Sequence, residues 1–108
     1  MPQDYYPSGP FLSQLPDAGE FDVLREDFLI GFMKSTARAY KADLKDFREW
    51  CEAERVEATR PSGIELERFL DSVRERGYAA GTVARRLGAV RGFLRRVALR
   101  RVLPLEEG

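Results

Sequence analysis

Seven arginines near the C-terminus are the residues of this sequence best suited to chemistry, and that chemistry is the binding of an anion. They lie in TVARRLGAVRGFLRRVALRR, residues 82–101, which holds no acidic residue although the 108-residue chain has a formal net charge of zero. Residues 1–33 contain six acidic residues against one arginine. This asymmetry predicts an anionic partner for the basic end. Nucleic acid suits it, because arginine contacts phosphates and binds guanine through paired hydrogen bonds.

A helix predicted over residues 80–101 positions these arginines. Five apolar residues recur at helical spacing and define its buried face: Val83, Leu87, Val90, Leu94 and Val97. Six residues fall on the opposite side: Gly81, Arg85, Gly88, Ala89, Gly92 and Arg96. A glycine inside a helix costs about 0.8–1 kcal/mol relative to alanine. Three on one outward face indicate that a bulky surface such as a DNA groove comes close, unless they allow another helix to pack or are simply tolerated.

A second predicted helix, residues 36–54, carries its charges in separate sectors. Its buried face holds Tyr40, Leu44, Phe47 and Cys51, with Trp50 beside it. Four basic residues lie in a narrow sector next to that face: Arg38, Lys41, Lys45 and Arg48. Asp43, Asp46 and Glu49 lie around the other flank. Ser35 or Thr36 suits the N-cap, and the free backbone N–H groups of a helix start favour a phosphate beside the basic stripe.

Two further helices complete an all-α prediction for one compact domain. The first, residues 20–33, has Phe21, Leu24, Phe28 and Phe32 at helical spacing, and Leu29, Ile30 and Met33 widen its apolar surface. It is therefore either buried on two sides or a contact for a neighbouring protomer. The third, residues 63–76, begins at a Ser62/Glu65 capping box, buries Leu66, Phe69, Leu70 and Val73, and ends at Gly77. Residues 1–19, rich in proline, glycine and serine, are predicted to form a mobile tail.

The composition argues against several classes of function. The chain has no histidine and one cysteine, Cys51, which we assign to the core. It therefore lacks the commonest general base and a usual zinc site, and it cannot form an internal disulfide. No run of about 20 apolar residues could span a bilayer, and no secretory signal is present. We predict no catalytic residue, metal or cofactor, no membrane contact, and an intracellular protein.

The order of these elements resembles the N-terminal core-binding domain of tyrosine recombinases, the phage integrase family. The resemblance covers about residues 20–104 and is carried by STARAYKADLKDFREWCEAERV and SGIELERFLDSVRERGYAAGTVARRLGAVRGFLRRV. The matching elements are Thr36, Tyr40, Asp43-Leu44, Phe47, Trp50, Gly77, Thr82, Arg85-Arg86-Leu87, Ala89 and Arg91. Their order and spacing together are more specific than any one of them.

The resemblance implies a compact SAM-like bundle of four or five helices that forms half of a clamp around double-stranded DNA. Nine residues of the second and fourth helices are implied to contact the DNA: Thr36, Arg38, Lys41, Lys45, Gly81, Thr82, Arg85, Arg86 and Ala89. Arg91 is interpreted as structural or ion-paired. Neighbouring recombinase protomers are the implied protein partners, and the implied role is DNA integration or recombination in the cytoplasm of a bacterial or phage-infected cell, at the nucleoid.

The catalytic domain of the family has no counterpart in this sequence, so residues 105–108 are expected to begin a linker to it. The alternative function is a helical protein-interaction module that uses the apolar first helix and the acidic N-terminal third.

Overall fold

A computed structural model describes residues 16–103, which form four α-helices and contain no strand. The helices are α1 (Pro16–Leu29), α2 (Lys34–Glu54), α3 (Gly63–Glu75) and α4 (Ala80–Val102). All four predicted helices are present, and the all-α fold class is confirmed. α1 begins at Pro16, because proline suits the first position of a helix, so the prediction that residues 16–19 belong to the mobile tail is wrong. Residues 1–15 of the predicted tail and residues 104–108, with the predicted linker, lie outside the described residues.

Each helix supplies one fully buried phenylalanine to a common core. Phe21, Phe47, Phe69 and Phe93 come from α1 to α4 in order and are each exposed by 1% or less. The Phe21 and Phe93 ring centroids lie 4.8 Å apart, and those of Phe47 and Phe69 lie 4.9 Å apart. Full burial of such a side chain stabilises the fold by about 1.5–3 kcal/mol. These four residues therefore join all four helices in one bundle.

The predicted apolar faces of α2, α3 and α4 are confirmed. Their residues are buried or packed against the core: Leu44, Phe47, Cys51, Trp50, Leu66, Phe69, Leu70, Val73, Val83, Leu87, Val90, Leu94 and Val97. Burial raises the pKa of the Cys51 thiol to about 12, so this residue is a small apolar side chain at neutral pH. The buried face of α4 is wider than the predicted stripe, because it also includes Phe93 and Ala89.

The start of α3 is capped as predicted, but the start of α2 is not. The Ser62 hydroxyl accepts a hydrogen bond from the Glu65 backbone, and the Glu65 carboxylate accepts one from the Ser62 backbone. Gly77 follows α3 with a φ of +80°, a left-handed conformation that glycine adopts without strain. The N-cap of α2 is Met33, without a side-chain hydrogen bond, so the prediction of Ser35 or Thr36 is wrong. The cause is that α1 ends at Leu29 and the chain enters α2 sooner.

The turn between α1 and α2 leaves large apolar side chains in solvent. Ile30 is 80% exposed and Met33 is 78% exposed, whereas Leu29 is buried. The prediction that α1 is buried on two sides is therefore wrong for Ile30 and Met33, because both lie beyond the last helical residue. Phe32 remains in contact with the bundle through the rings of Phe28 and Tyr40, with centroids 5.1 and 5.0 Å away.

Candidate nucleic-acid interface

A buried aspartate on α2 holds two arginines of α4. Asp43 has no exposed surface. Its Oδ2 accepts from Arg85 Nε at 2.8 Å, and its Oδ1 accepts from Arg85 Nη2 at 2.8 Å and Arg86 Nε at 3.0 Å. A buried carboxylate needs such partners, since desolvation of an unpaired charge costs several kcal/mol. The contact fixes the first two turns of α4 against the middle of α2.

Arg86 belongs to a second cluster that extends to the end of α3. Its Nη1 lies 3.3 Å from Asp46 Oδ2, and the same carboxylate accepts two hydrogen bonds from Arg76 Nη1 at 2.7 and 2.9 Å. The Arg86 guanidinium also lies 4.8 Å from the ring centroid of Tyr78. Only 11% of the Arg86 side chain is exposed. This arginine is therefore occupied by contacts within the protein.

A third cluster centres on the buried carboxylate of Asp27 in α1, which binds the other end of α4. It accepts from Arg96 Nε at 2.8 Å and from Arg100 Nη2 at 2.9 Å. Hydrogen bonds from Arg100 and Arg96 hold the pKa of this carboxyl far below its usual range. Arg101 donates to the carbonyl oxygen of Thr59 at 2.8 Å. Five of the seven arginines in residues 82–101 thus have partners within the described chain.

Arg91 and Arg95 are the other two, and both are exposed on α4 without an ion pair to any of residues 19–103. The interpretation of Arg91 as structural or ion-paired is wrong. It follows the buried Val90 by about 100° around the helix, which turns it away from the Phe93 side of the core. Sequence reasoning missed Arg95 altogether, although it lies one helical turn after Arg91, on the same outward side.

The outward face of α4 is narrower than predicted. Ala89 has no exposed surface, so its placement opposite the apolar stripe is wrong and it has no surface left for a DNA contact. A Cβ at Gly92 would lie 3.0 Å from two ring carbons of Phe28, so this glycine lets α1 pack closely against α4. The buried face of α4 is wider than predicted because Phe93 extends it as far as Ala89, and α1 covers Gly92 through Phe28. A Cβ at Gly81 or Gly88 would meet nothing within 4 Å.

The basic residues of α2 differ in how they are paired. Arg38 and Lys41 are exposed and make no ion pair within the described chain, whereas Lys45 lies 3.0 Å from Glu49 and stays 75% exposed. Arg48 lies 2.8 Å from Asp22 and 4.9 Å from the centre of the Phe21 ring. A shallow groove of about 420 Å³ between α1 and α2 is lined by Arg25, Arg38, Lys41, Ala42, Lys45 and Arg48.

The predicted DNA contacts do not all lie on one face. Lys41 and Asp43 are two residues apart, so they point in directions about 160° apart around α2. The basic stripe of Arg38, Lys41 and Lys45 therefore lies on the side of α2 away from Arg85. Thr36 lies one turn before Tyr40, which lines a groove of about 550 Å³ together with Gly88 and Gly92. Thr36 thus lies on the side of α2 that faces α4, with Gly81, Thr82 and Arg85. The first turns of α2 lie next to both this side and the basic stripe.

The burial of Asp43 was missed, although the sequence contains a signal for it. Asp43 precedes Phe47 by four residues and Trp50 by seven, the spacing of a single helix face. An acidic residue on that face requires a cationic partner. Arg85 is predicted to face outward and Arg86 to contact DNA, and neither prediction includes an ion pair with Asp43.

Residues 31–101 match the family model described as phage integrase, N-terminal SAM-like domain. The match covers well over half of the chain. The chain belongs to this family. No curated protein and no solved structure matches it.

In this phage integrase N-terminal domain the matched residues run from the α1–α2 turn almost to the end of α4. They include the Asp43 and Asp46 clusters, whereas Asp27 lies outside them. Within residues 16–103, no helix combines the length and apolar character needed to cross a membrane. The DNA-binding role of the eight predicted residues other than Ala89 stays a prediction.

Proposed function

We propose that this chain is the DNA-binding module of a site-specific tyrosine recombinase and that it binds one core half-site through α2 and α4. One observation carries the proposal. Residues 34–42 and 80–102 contain no acidic residue, and five of their exposed cations have neither an ion pair nor a side-chain hydrogen bond to residues 19–103. These cations are Lys34, Arg38, Lys41, Arg91 and Arg95. A duplex neutralises such residues and releases its own counterions, which favours binding.

The face of α4 beside Arg85 suits a closely approaching duplex. Gly81 and Gly88 lie about one turn before and after Arg85, and each is open to solvent where a Cβ would be. The intrinsic cost of a glycine in a helix is therefore not offset by packing within this chain at either position. Family membership supports a recombinase role, and the strand-exchange chemistry is assigned to a catalytic domain elsewhere in the parent protein.

The double variant Arg38→Gln/Lys41→Gln tests the proposal. Neither side chain is ion-paired to any of residues 19–103, so we expect unfolding midpoints to stay the same while affinity for a mixed-sequence duplex at low salt falls roughly tenfold. The slope of log affinity against log salt should become shallower by about two, because each phosphate contact contributes about one. Fluorescence anisotropy over a salt series measures both quantities.

The matched control is Arg55→Gln/Arg60→Gln. It removes the same charge from two exposed arginines near the other end of α2, and these also have no ion pair among the described residues. Wild-type affinity in the Arg38/Lys41 variant, or an equal loss in this control, would contradict the proposal.

The second candidate function is a protein-interaction module, which the exposed Ile30 and Met33 favour. The partner proposed for this turn is a neighbouring recombinase protomer. Amide chemical shifts recorded during a titration with duplex DNA separate the two functions. Shifts confined to α1 and the turn favour the interaction module, whereas shifts in α2 and α4 favour DNA binding.

A further inference from the structure

Asp43 fixes the direction in which Arg85 can donate hydrogen bonds. The carboxylate binds Nε and Nη2 of Arg85, each at 2.8 Å, which uses two of the five N–H groups of the guanidinium. The two N–H groups of Nη1 and the second one of Nη2 have no partner among the described residues. These N–H groups form the end of the Arg85 side chain. The side chain as a whole is 41% exposed. A planar guanidinium held along one side presents its end as a rigid pair of donors.

We propose that Asp43 is a positioning residue that presents the end of Arg85 to the O6 and N7 acceptors of a guanine in the major groove. The inference rests on the proposed DNA-binding function and adds to it a base preference and the residue that produces it. Paired donors of this kind match the two acceptors of guanine, which are adjacent only on the major-groove edge.

The charges around Arg85 favour a base over a phosphate as its target. A phosphate contact depends mainly on net positive charge, and Asp43 cancels part of that charge while its own burial is costly. Arg38 and Lys41 have no orienting partner among residues 19–103, which suits them to phosphates. What Asp43 adds to Arg85 is a fixed orientation, and a fixed orientation matters most for reading a base.

The surface beside Arg85 allows a base edge to come within hydrogen-bonding distance. Gly81 and Gly88 flank it along the helix, and neither has a side chain that would hold the duplex away. Arg86 shares the Asp43 carboxylate at 3.0 Å but is only 11% exposed, so it does not compete with Arg85 for the DNA.

The test begins with duplexes selected by the 108-residue chain from a random library. We expect one guanine whose replacement by 7-deazaguanine, which lacks the N7 acceptor, lowers affinity roughly tenfold, in line with the loss of one bond of a bidentate pair. In Asp43→Asn the contrast between selected and scrambled duplexes should fall by a similar factor. Affinity for the scrambled duplex should rise in the same variant, because a negative charge is lost. Damage to the fold would lower both affinities together.

Arg85→Lys is the second variant, and it keeps a cation beside Asp43 if Asp43→Asn does not fold. It should lose the response to 7-deazaguanine. If 7-deazaguanine has no effect at any selected guanine, or if Arg85→Lys responds to it like the wild type, Arg85 contacts a phosphate and the inference is wrong. If the wild-type chain binds no duplex at low salt, the proposed function itself is wrong.

Discussion

The local sequences of α2 and α4 indicate that α4 offers more free positive charge, but the structure shows that most arginines of α4 are paired and the first cations of α2 are not. Residues 80–102 contain seven arginines and no acid, yet four of these arginines are bound by carboxylates of α1 and α2 and a fifth by a backbone carbonyl. The first half of α2 has only three cations, and all three are exposed and without ion pairs to residues 19–103. The number of basic residues in a sequence segment therefore does not give the number that are free to bind a partner.

The largest expected effect comes from removing the partner of the α4 arginines on α1. Asp27→Asn leaves Arg96 and Arg100 without a carboxylate. We expect a loss of about 2–3 kcal/mol, less than the about 3–5 kcal/mol for a fully buried pair, because both arginines still reach solvent. Urea unfolding measures the change.

The control for this variant is Asp71→Asn, which removes an exposed carboxylate 3.6 Å from Arg74 and should change stability by less than about 0.5 kcal/mol. The pH dependence gives an independent check. The pKa of Asp27 is lower in the folded chain than in the unfolded one, so its stabilisation is present above about pH 4 and is lost as the pH falls. Asp27→Asn should therefore lose less stability on acidification than the wild type, and equal losses would show that Asp27 is not the group responsible.

A smaller effect separates two glycines four residues apart on α4. Gly88→Ala should stabilise the domain by about 0.5–1 kcal/mol, since alanine is the better helix former and the added methyl meets nothing. Gly92→Ala should be less stable than Gly88→Ala by about 1 kcal/mol or more, because its methyl would press on the Phe28 ring. Thermal unfolding of both variants checks this difference. Equal midpoints would mean that Phe28 moves without cost.

The smallest stability effect is expected at Arg95, an exposed arginine of α4 next to the paired Arg96. Arg95→Gln removes an exposed cation without an ion pair and should change stability by less than about 0.5 kcal/mol. Arg96→Gln removes a partner of Asp27 and should cost more. DNA affinity should fall in Arg95→Gln at unchanged stability. If Arg95→Gln is more destabilising than Arg96→Gln, Arg95 contributes more to the fold than Arg96 and the description of Arg95 as free is wrong.

Predictions from the sequence succeeded where they depended on neighbouring residues. The capping box at Ser62 and Glu65, the left-handed Gly77 and the apolar faces of α2 and α3 all follow from spacings of three or four residues. The outward placement of Ala89 and Gly92 failed because it assumed a narrow buried stripe on α4. Phe93 widens that stripe, and α1 covers Gly92 through Phe28.

The sequence alone determined that this chain forms four amphipathic helices and belongs with integrase N-terminal domains, because helical periodicity and capping are local properties. Which arginines remain available to a partner depends instead on contacts between helices. Arg85 lies 42 residues from Asp43 in the chain, and Arg100 lies 73 residues from Asp27. Whether such charges meet depends on how the helices cross and rotate, and the packing of the shared core sets that arrangement.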